Sequence, residues 1–329
     1  PNLGSSMTPS IALAAASVLS ACEGLAPTVG QGAGIGTGTQ PLTAEESQDE
    51  IDEETPLGDK SPVNVYGDEA NEDLTMNDMS FDPATGELVL NNLPFDGDDN
   101  LYTRDGTRSA GLRAGGSSFD VYTNESGRAQ YYAVFRRSDM GYGQVAAVAT
   151  DRYLSFGFGG VGAQRLRGDG SLPRRNDSYV FTGEYAGVRS IVDETTGTEV
   201  QYVAGTAVID VDIEDFDTTG AVEGVIVDRR FFDENGIRIG DLDNADFISL
   251  ATADVNFDDW TITSSEATSV VDGVSGASGT WEGLFVGPNG EEVVGIVVLE
   301  GDGPVGIDPD TGEYIQVEVR EVGGFVAGR

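Results

Sequence analysis

Few side chains in this 329-residue sequence could carry out bond-making chemistry. There is one cysteine, Cys22, and no histidine. Nucleophilic catalysis of the Ser-His-Asp or Cys-His kind needs an imidazole to take the proton, so both arrangements are excluded. Zinc sites built on histidine or on several cysteines are excluded for the same reason. Carboxylates are plentiful, 57 Asp and Glu against 18 Lys and Arg. At that density acids fall in pairs by composition alone, and spacing gives a two-carboxylate hydrolase no support. Calcium is the one metal for which oxygen ligands cluster, in Asp96-Gly-Asp-Asp-Asn100, Asp241-Leu-Asp-Asn244 and Asp308-Pro-Asp-Thr-Gly-Glu313. None of these has EF-hand spacing with its terminal bidentate Glu, and each reads as a solvated loop. The expectation is a protein that is not an enzyme and has no metal and no cofactor.

The lone thiol has a distinctive position. Cys22 closes the apolar run that begins at Ser10, about a dozen residues and too short for the roughly 20 that cross a bilayer. The length suits the apolar core of a signal peptide, with small residues leading to a cleavage point. One cysteine forms no internal disulfide, and an exposed thiol in an exported protein is a liability. A buried apolar turn with an ordinary cysteine is the plain alternative. Leu19-Ser20-Ala21-Cys22 resembles the lipobox of bacterial lipoproteins. The resemblance implies a signal peptide over residues 1–21 and lipidation of Cys22, with palmitate-type acyl chains. Glu23, in place of the Asp that retains many such proteins at the inner membrane, implies an outer-membrane, surface-exposed destination.

The remaining chain must position whatever binds. Its net charge of -39 repels nucleic acid and anionic headgroups, leaving the lipid as the only membrane link. A monomer is expected. The 46 glycines and scarcity of long apolar stretches point to short strands and turns. Residues 22–80 contain Gly30-Gln-Gly-Ala-Gly-Ile-Gly-Thr-Gly38 and the acidic block Glu45–Glu54, and they read as a disordered tether. A flexible coil of that length reaches roughly 40 Å, which would lift a domain from a surface; a solubilising tail is the alternative.

Residues 81–175 carry short strand patterns separated by turn signals such as Asp105-Gly106 and Ser126-Gly127. The charge reverses here: residues 101–176 hold 11 arginines against six acids. This basic island is either a site for an anion or partner, or the place where acidic parts of the same chain dock. As a partner site it would use Arg136 and Arg137, with Tyr131, Tyr132 and Tyr142 supplying aromatic contact area.

Residues 176–329 have the strongest strand signal, with eight segments at Ser178–Arg189, Val200–Asp212, Ala221–Asp228, Phe247–Val255, Trp260–Ser264, Ser278–Val286, Glu292–Leu299 and Tyr314–Val326. Eight antiparallel strands are expected to close into a barrel that side chains fill, with a sandwich as the alternative. The fold class is therefore all-β. The segment Gly283-Leu-Phe-Val-Gly-Pro-Asn-Gly-Glu-Glu-Val-Val-Gly-Ile-Val297 resembles the barrel repeat of transferrin-binding protein B-like surface lipoproteins, through Gly283, Phe285, Gly287, Pro288, Glu292, Gly295 and Val297. The resemblance implies one handle-and-barrel unit, with a handle-like β domain over 81–175 and the barrel over 176–329. It also implies capture of a protein or small nutrient ligand, linked to iron or haem. The matched residues themselves read as fold determinants. Pro288-Asn289-Gly290 is turn chemistry, the other glycines allow close packing, and Glu292 is placed to brace the turn. A structural envelope protein without a soluble ligand is the competing function.

Overall fold

The computed structural model describes residues 63–67, 70–97, 99–124, 126–153, 155–173, 178–193, 197–213 and 221–329. The expected signal peptide, Cys22 and the tether up to residue 62 lie outside them. All the described residues fall in one compact unit.

The handle is an eight-stranded antiparallel sheet. Its strands are β1 (Asn64–Tyr66), β2 (Asp78–Asp82), β3 (Glu87–Asn91), β4 (Leu101–Asp105), β5 (Asp120–Asn124), β6 (Tyr131–Arg137), β7 (Gly143–Thr150) and β8 (Gly159–Arg165). Their spatial order is β1-β8-β7-β6-β5-β4-β3-β2. The sheet curls until its two edges meet. Gln164 on β8 donates to the Tyr66 hydroxyl at 2.8 Å and reaches Asp78 on β2 at 3.4 Å. Inside the curl lie Met76, Met79, Leu88, Leu90, Tyr102, Tyr122, Tyr131 and Phe135.

The handle begins well before residue 81, where the sequence placed its start. β1 and the first three residues of β2 fall in the stretch expected to be tether, and Leu74, Met76 and Met79 are fully or almost fully buried. Those apolar residues are scattered singly among Asp, Asn and Glu, so no run reveals them. A second departure is helix α1 (Gly106–Ala114), where Asp105-Gly106 had read as a turn. Asp105 caps it by accepting the Thr107 and Arg108 N–H groups, both at 2.9 Å.

The barrel contains β9 (Ser178–Asp193), β10 (Gly197–Asp212), β11 (Ala221–Phe232), β12 (Asp246–Asn256), β13 (Thr261–Val271), β14 (Val274–Val286), β15 (Glu292–Ile307) and β16 (Tyr314–Gly328). It is closed by the β16–β9 pairing. All eight expected strands are present, most of them longer than the apolar pattern indicated. Inward positions alternate with outward ones, and Phe181, Tyr185, Ile209, Phe231, Ile248, Trp281 and Phe325 fill the interior. Glycine makes room for the larger rings: a Cβ on Gly295 would lie 2.3 Å from Phe325.

A charged cluster shares this interior. Arg229 Nη2 donates to Glu321 at 2.6 Å and Arg229 Nε lies 2.9 Å from Asp246. The Tyr185 hydroxyl donates to Glu321 at 2.5 Å, and Arg189 lies 3.5 Å from the same carboxylate. Burial works against the Glu321 carboxylate, yet Arg229 and Arg189 hold it below its ordinary range. Burial raises the Asp246 carboxyl above its ordinary range, so Glu321 is the anion on which both guanidiniums converge.

The handle and the barrel share a third core. Val134, Val145, Ala147, Val161 and Ala163 of the handle pack against Ala186, Val188, Tyr202, Leu284, Ile296 and Val322 on the barrel's outer face.

Candidate ligand-binding site

The structure does not gather the five predicted contact residues into one surface. Tyr131 and Tyr132 are neighbours on β6 and so face opposite ways. Tyr131 is buried in the handle core and donates to the Pro94 carbonyl at 2.8 Å. Tyr132 lies between handle and barrel and donates to Asp151 at 3.1 Å; burial, then Asp151, push its hydroxyl up to about 12. Arg136 donates to Asp139 at 2.6 Å and pairs across the seam with Glu184 on β9 at 3.0 Å. Arg137 donates to Gln144 at 3.2 Å and lies over the Phe81 ring. Tyr142 packs at the seam, where its ring approaches Gly287.

Much of the basic island is likewise engaged inside the fold. Arg104 and Arg113 share Asp120, and Arg108 pairs with Asp105 at 2.6 Å while donating to the Glu234 carbonyl of the barrel at 2.6 Å. Arg165 is buried and donates to the carbonyls of Phe285 at 2.8 Å and Trp260 at 3.0 Å. Its burial lowers the guanidinium pKa to about 10.

The matched barrel motif holds this seam together. Gly283 on β14 stands opposite Gly295 on β15. The Gly287 N–H donates to the Arg167 carbonyl at 3.1 Å, and the Gly170 N–H returns to the Gly287 carbonyl at 3.0 Å. Glu292 braces the handle and not its own turn, accepting the Met140 N–H at 3.0 Å. Its neighbour Glu291 takes the turn role, accepting the Asn289 backbone N–H at 3.0 Å and its side-chain amide at 2.8 Å.

A different surface is built at one end of the handle, where the β3–β4, β5–β6 and β7–β8 loops converge; the Thr198 hydroxyl of the barrel donates to the Tyr153 carbonyl there at 2.5 Å. Phe95 is 51% exposed at φ 68, a conformation that costs a bulky residue. The surrounding bonds over-determine it. The Phe95 carbonyl accepts the N–H groups of Arg128 at 2.8 Å and Ala129 at 3.0 Å. Buried Asn124 ties the loops together, reaching the Asp96 carbonyl at 2.7 Å and the Ala129 carbonyl at 2.8 Å. The Arg128 guanidinium lies 4.6 Å above the Phe95 ring. Beneath it, Asp96 is buried and accepts the Tyr102 hydroxyl at 3.1 Å; burial pushes its carboxyl up to about 7. Phe95, Arg128, Ala129, Arg152 and Tyr153 line a cavity of about 210 Å³. Arg152 is exposed and has only Asp151, at 3.4 Å, as an ion-pair partner among the described residues.

An exposed aromatic ring stacked by arginine, with its backbone held by hydrogen bonds from Arg128 and Ala129, presents a candidate contact surface. The sequence concealed it. Phe95 stands just before Asp96-Gly-Asp-Asp-Asn100, which reads as solvated loop, and only the apolar triplet Leu93-Pro94-Phe95 hints at more.

The fold and this site together describe an all-β handle-and-barrel protein with a loop-borne contact surface. Among solved structures, the chain is similar to a single-site mutant of the vaccine antigen transferrin binding protein B from Haemophilus parasuis Hp5. The match has 14% identity and a TM-score of 0.38, over 82% of this chain and 45% of that one. It is also similar to isotype 1 transferrin binding protein B from serogroup B Neisseria meningitidis, with 12% identity and a TM-score of 0.36, over 82% and 44%. The chain thus spans less than half the length of these structures. No protein-family model and no curated protein sequence matches it.

Proposed function

We propose that this chain is a surface lipoprotein of the bacterial outer membrane, anchored by lipid at Cys22, that binds a protein or small nutrient ligand through the handle-end loops. The observation that carries the binding role is Phe95, exposed in a costly backbone conformation and stacked by Arg128. The lipobox-like Leu19–Cys22 segment and the acidic stretch after it support the anchored, lifted placement. The wider role in this reading is nutrient acquisition, with iron or haem suggested by the resemblance of the barrel motif.

The test is capture by the full chain from growth medium and from the organism's habitat fluids, comparing wild type with a Phe95→Ala/Arg128→Ala variant. Both side chains are exposed, so the variant keeps its fold. The expected result is a discrete partner held by wild type and weakened about tenfold or more in the variant. Equal capture by both would remove the handle end from the proposal. An empty catch would leave the structural envelope role. Labelling with a palmitate analogue tests the anchor: label lost in Cys22→Ser supports it, and label retained rejects it.

A further inference from the structure

A separate feature stands at the barrel end that carries the β15–β16 turn. Among the described residues, β9 pairs with β16 only from Val319 onward, and β14 pairs with β15 only as far as Glu300. Beyond those points β15 and β16 continue as a two-stranded ribbon, through the pairs Asp302↔Glu318, Gly303↔Val317, Pro304↔Gln316, Gly306↔Ile315 and Ile307↔Tyr314. A two-stranded ribbon alone is marginal in water. Here Val305, Tyr314 and Val317 pack against the barrel core, and the ribbon is secured at both ends. At the root, buried Arg189 donates to the Pro304 carbonyl at 3.1 Å, and Gly303 makes room for that guanidinium. At the tip, Asp308 accepts the N–H of Asp310 at 2.8 Å and of Thr311 at 3.2 Å, and its own N–H donates to the Glu313 carbonyl at 2.9 Å. The cluster Asp308–Glu313 is thus satisfied as a turn.

The two edges of the ribbon differ. The β15 side contains Gly301, Gly303, Pro304 and Gly306, a poor template for pairing. The β16 side reads Tyr314-Ile-Gln-Val-Glu318, free of Gly and Pro and rich in strand-forming residues. Ile315 is 44% exposed and Ile307 39%. From Glu300 to Val319 there are six acids and no basic residue. A second copy pairing here would set acids against acids, which opposes self-association.

We propose that the outer edge of β16, Tyr314–Glu318, receives an extended lysine- or arginine-bearing segment of a partner protein by strand addition. Main-chain hydrogen bonds to the edge left unpaired among the described residues would supply register, Ile315 apolar contact, and the acids selection for positive charge. The surface is independent of the handle end and survives if that site fails.

The probe is a seven-residue peptide alternating valine with lysine, titrated against the full chain. It is compared with the same peptide N-methylated at alternate residues and with a valine–glutamate peptide. Binding of the unmodified basic peptide is expected, with slowed amide exchange confined to Tyr314–Glu318. N-methylation, and separately Glu313→Lys/Glu318→Lys in the chain, should each weaken it by about tenfold or more. Ile315→Ala should weaken it severalfold. Equal binding of the N-methylated peptide would reduce the effect to general attraction by an acidic surface and overturn the proposal. So would unchanged binding to the charge-reversed chain, or edge protection that grows with protein concentration in the absence of peptide, which would mean a second copy.

Discussion

Glu321 shows how a single side chain can tie an interior together, since Arg229, Arg189 and Tyr185 all converge on it. Glu321→Gln would leave two buried guanidiniums short of an anion and is expected to cost about 3–5 kcal/mol in denaturant melts. A loss under about 1 kcal/mol would mean that water reaches the cluster. Asp96 makes a prediction about pH. Its folded pKa is raised from 3.8 to about 7, chiefly by burial. Between those values the folded state holds a proton that the unfolded chain has released. This residue's contribution therefore declines as pH rises through the window and is level above it. Asp96→Asn should remove that decline and gain roughly 1–2 kcal/mol at pH 8, read as the difference between wild-type and variant melts from pH 4 to 8. Neither role could be read from sequence. Both carboxylates stand among 57 acids, and only tertiary placement separates them from the rest.

At the scale of elements, the barrel was legible because its strands repeat one physical pattern, apolar inward residues alternating with polar or small outward ones. β13 is one of the strands that run further than the pattern indicated. Its second half, Ser265–Val271, holds Glu266, Thr268 and Ser269, so little hydrophobic signal marks it. β1 and β2 were missed because three residues in one and five in the other, set among acids, resemble linker. The loops of the handle end were visible as loops, but their mutual contacts were not. The island of arginines was visible as charge, while its partners were fixed only by the docking of handle on barrel. That docking gives a test at this scale. Arg136 and Ser118 both hold Glu184 across the seam, the Ser118 hydroxyl at 2.9 Å. Arg136→Ala is expected to cost about 1–2 kcal/mol, and a double-mutant cycle with Glu184→Gln should recover about 1 kcal/mol of coupling. Additive effects would show the pair to be incidental.

The described residues form one body with two sheets and three hydrophobic cores. Both tryptophans, Trp260 and Trp281, are in the barrel, so their fluorescence reports its unfolding alone, while far-ultraviolet circular dichroism sees both sheets. The shared core predicts coincident midpoints for the two signals. Separate transitions would mean that the handle opens independently of the barrel. The proposed function belongs to the same scale, because the proposed contact surface sits on handle loops whose sheet is held in place by the barrel. The most direct measurement is photo-crosslinking on intact cells, with a benzoyl-phenylalanine replacing Phe95 and, as control, Arg113 on helix α1. A partner crosslinked from position 95 and not from 113 is the predicted result. Capture of the same partner by the chain with no crosslink from position 95 would contradict it.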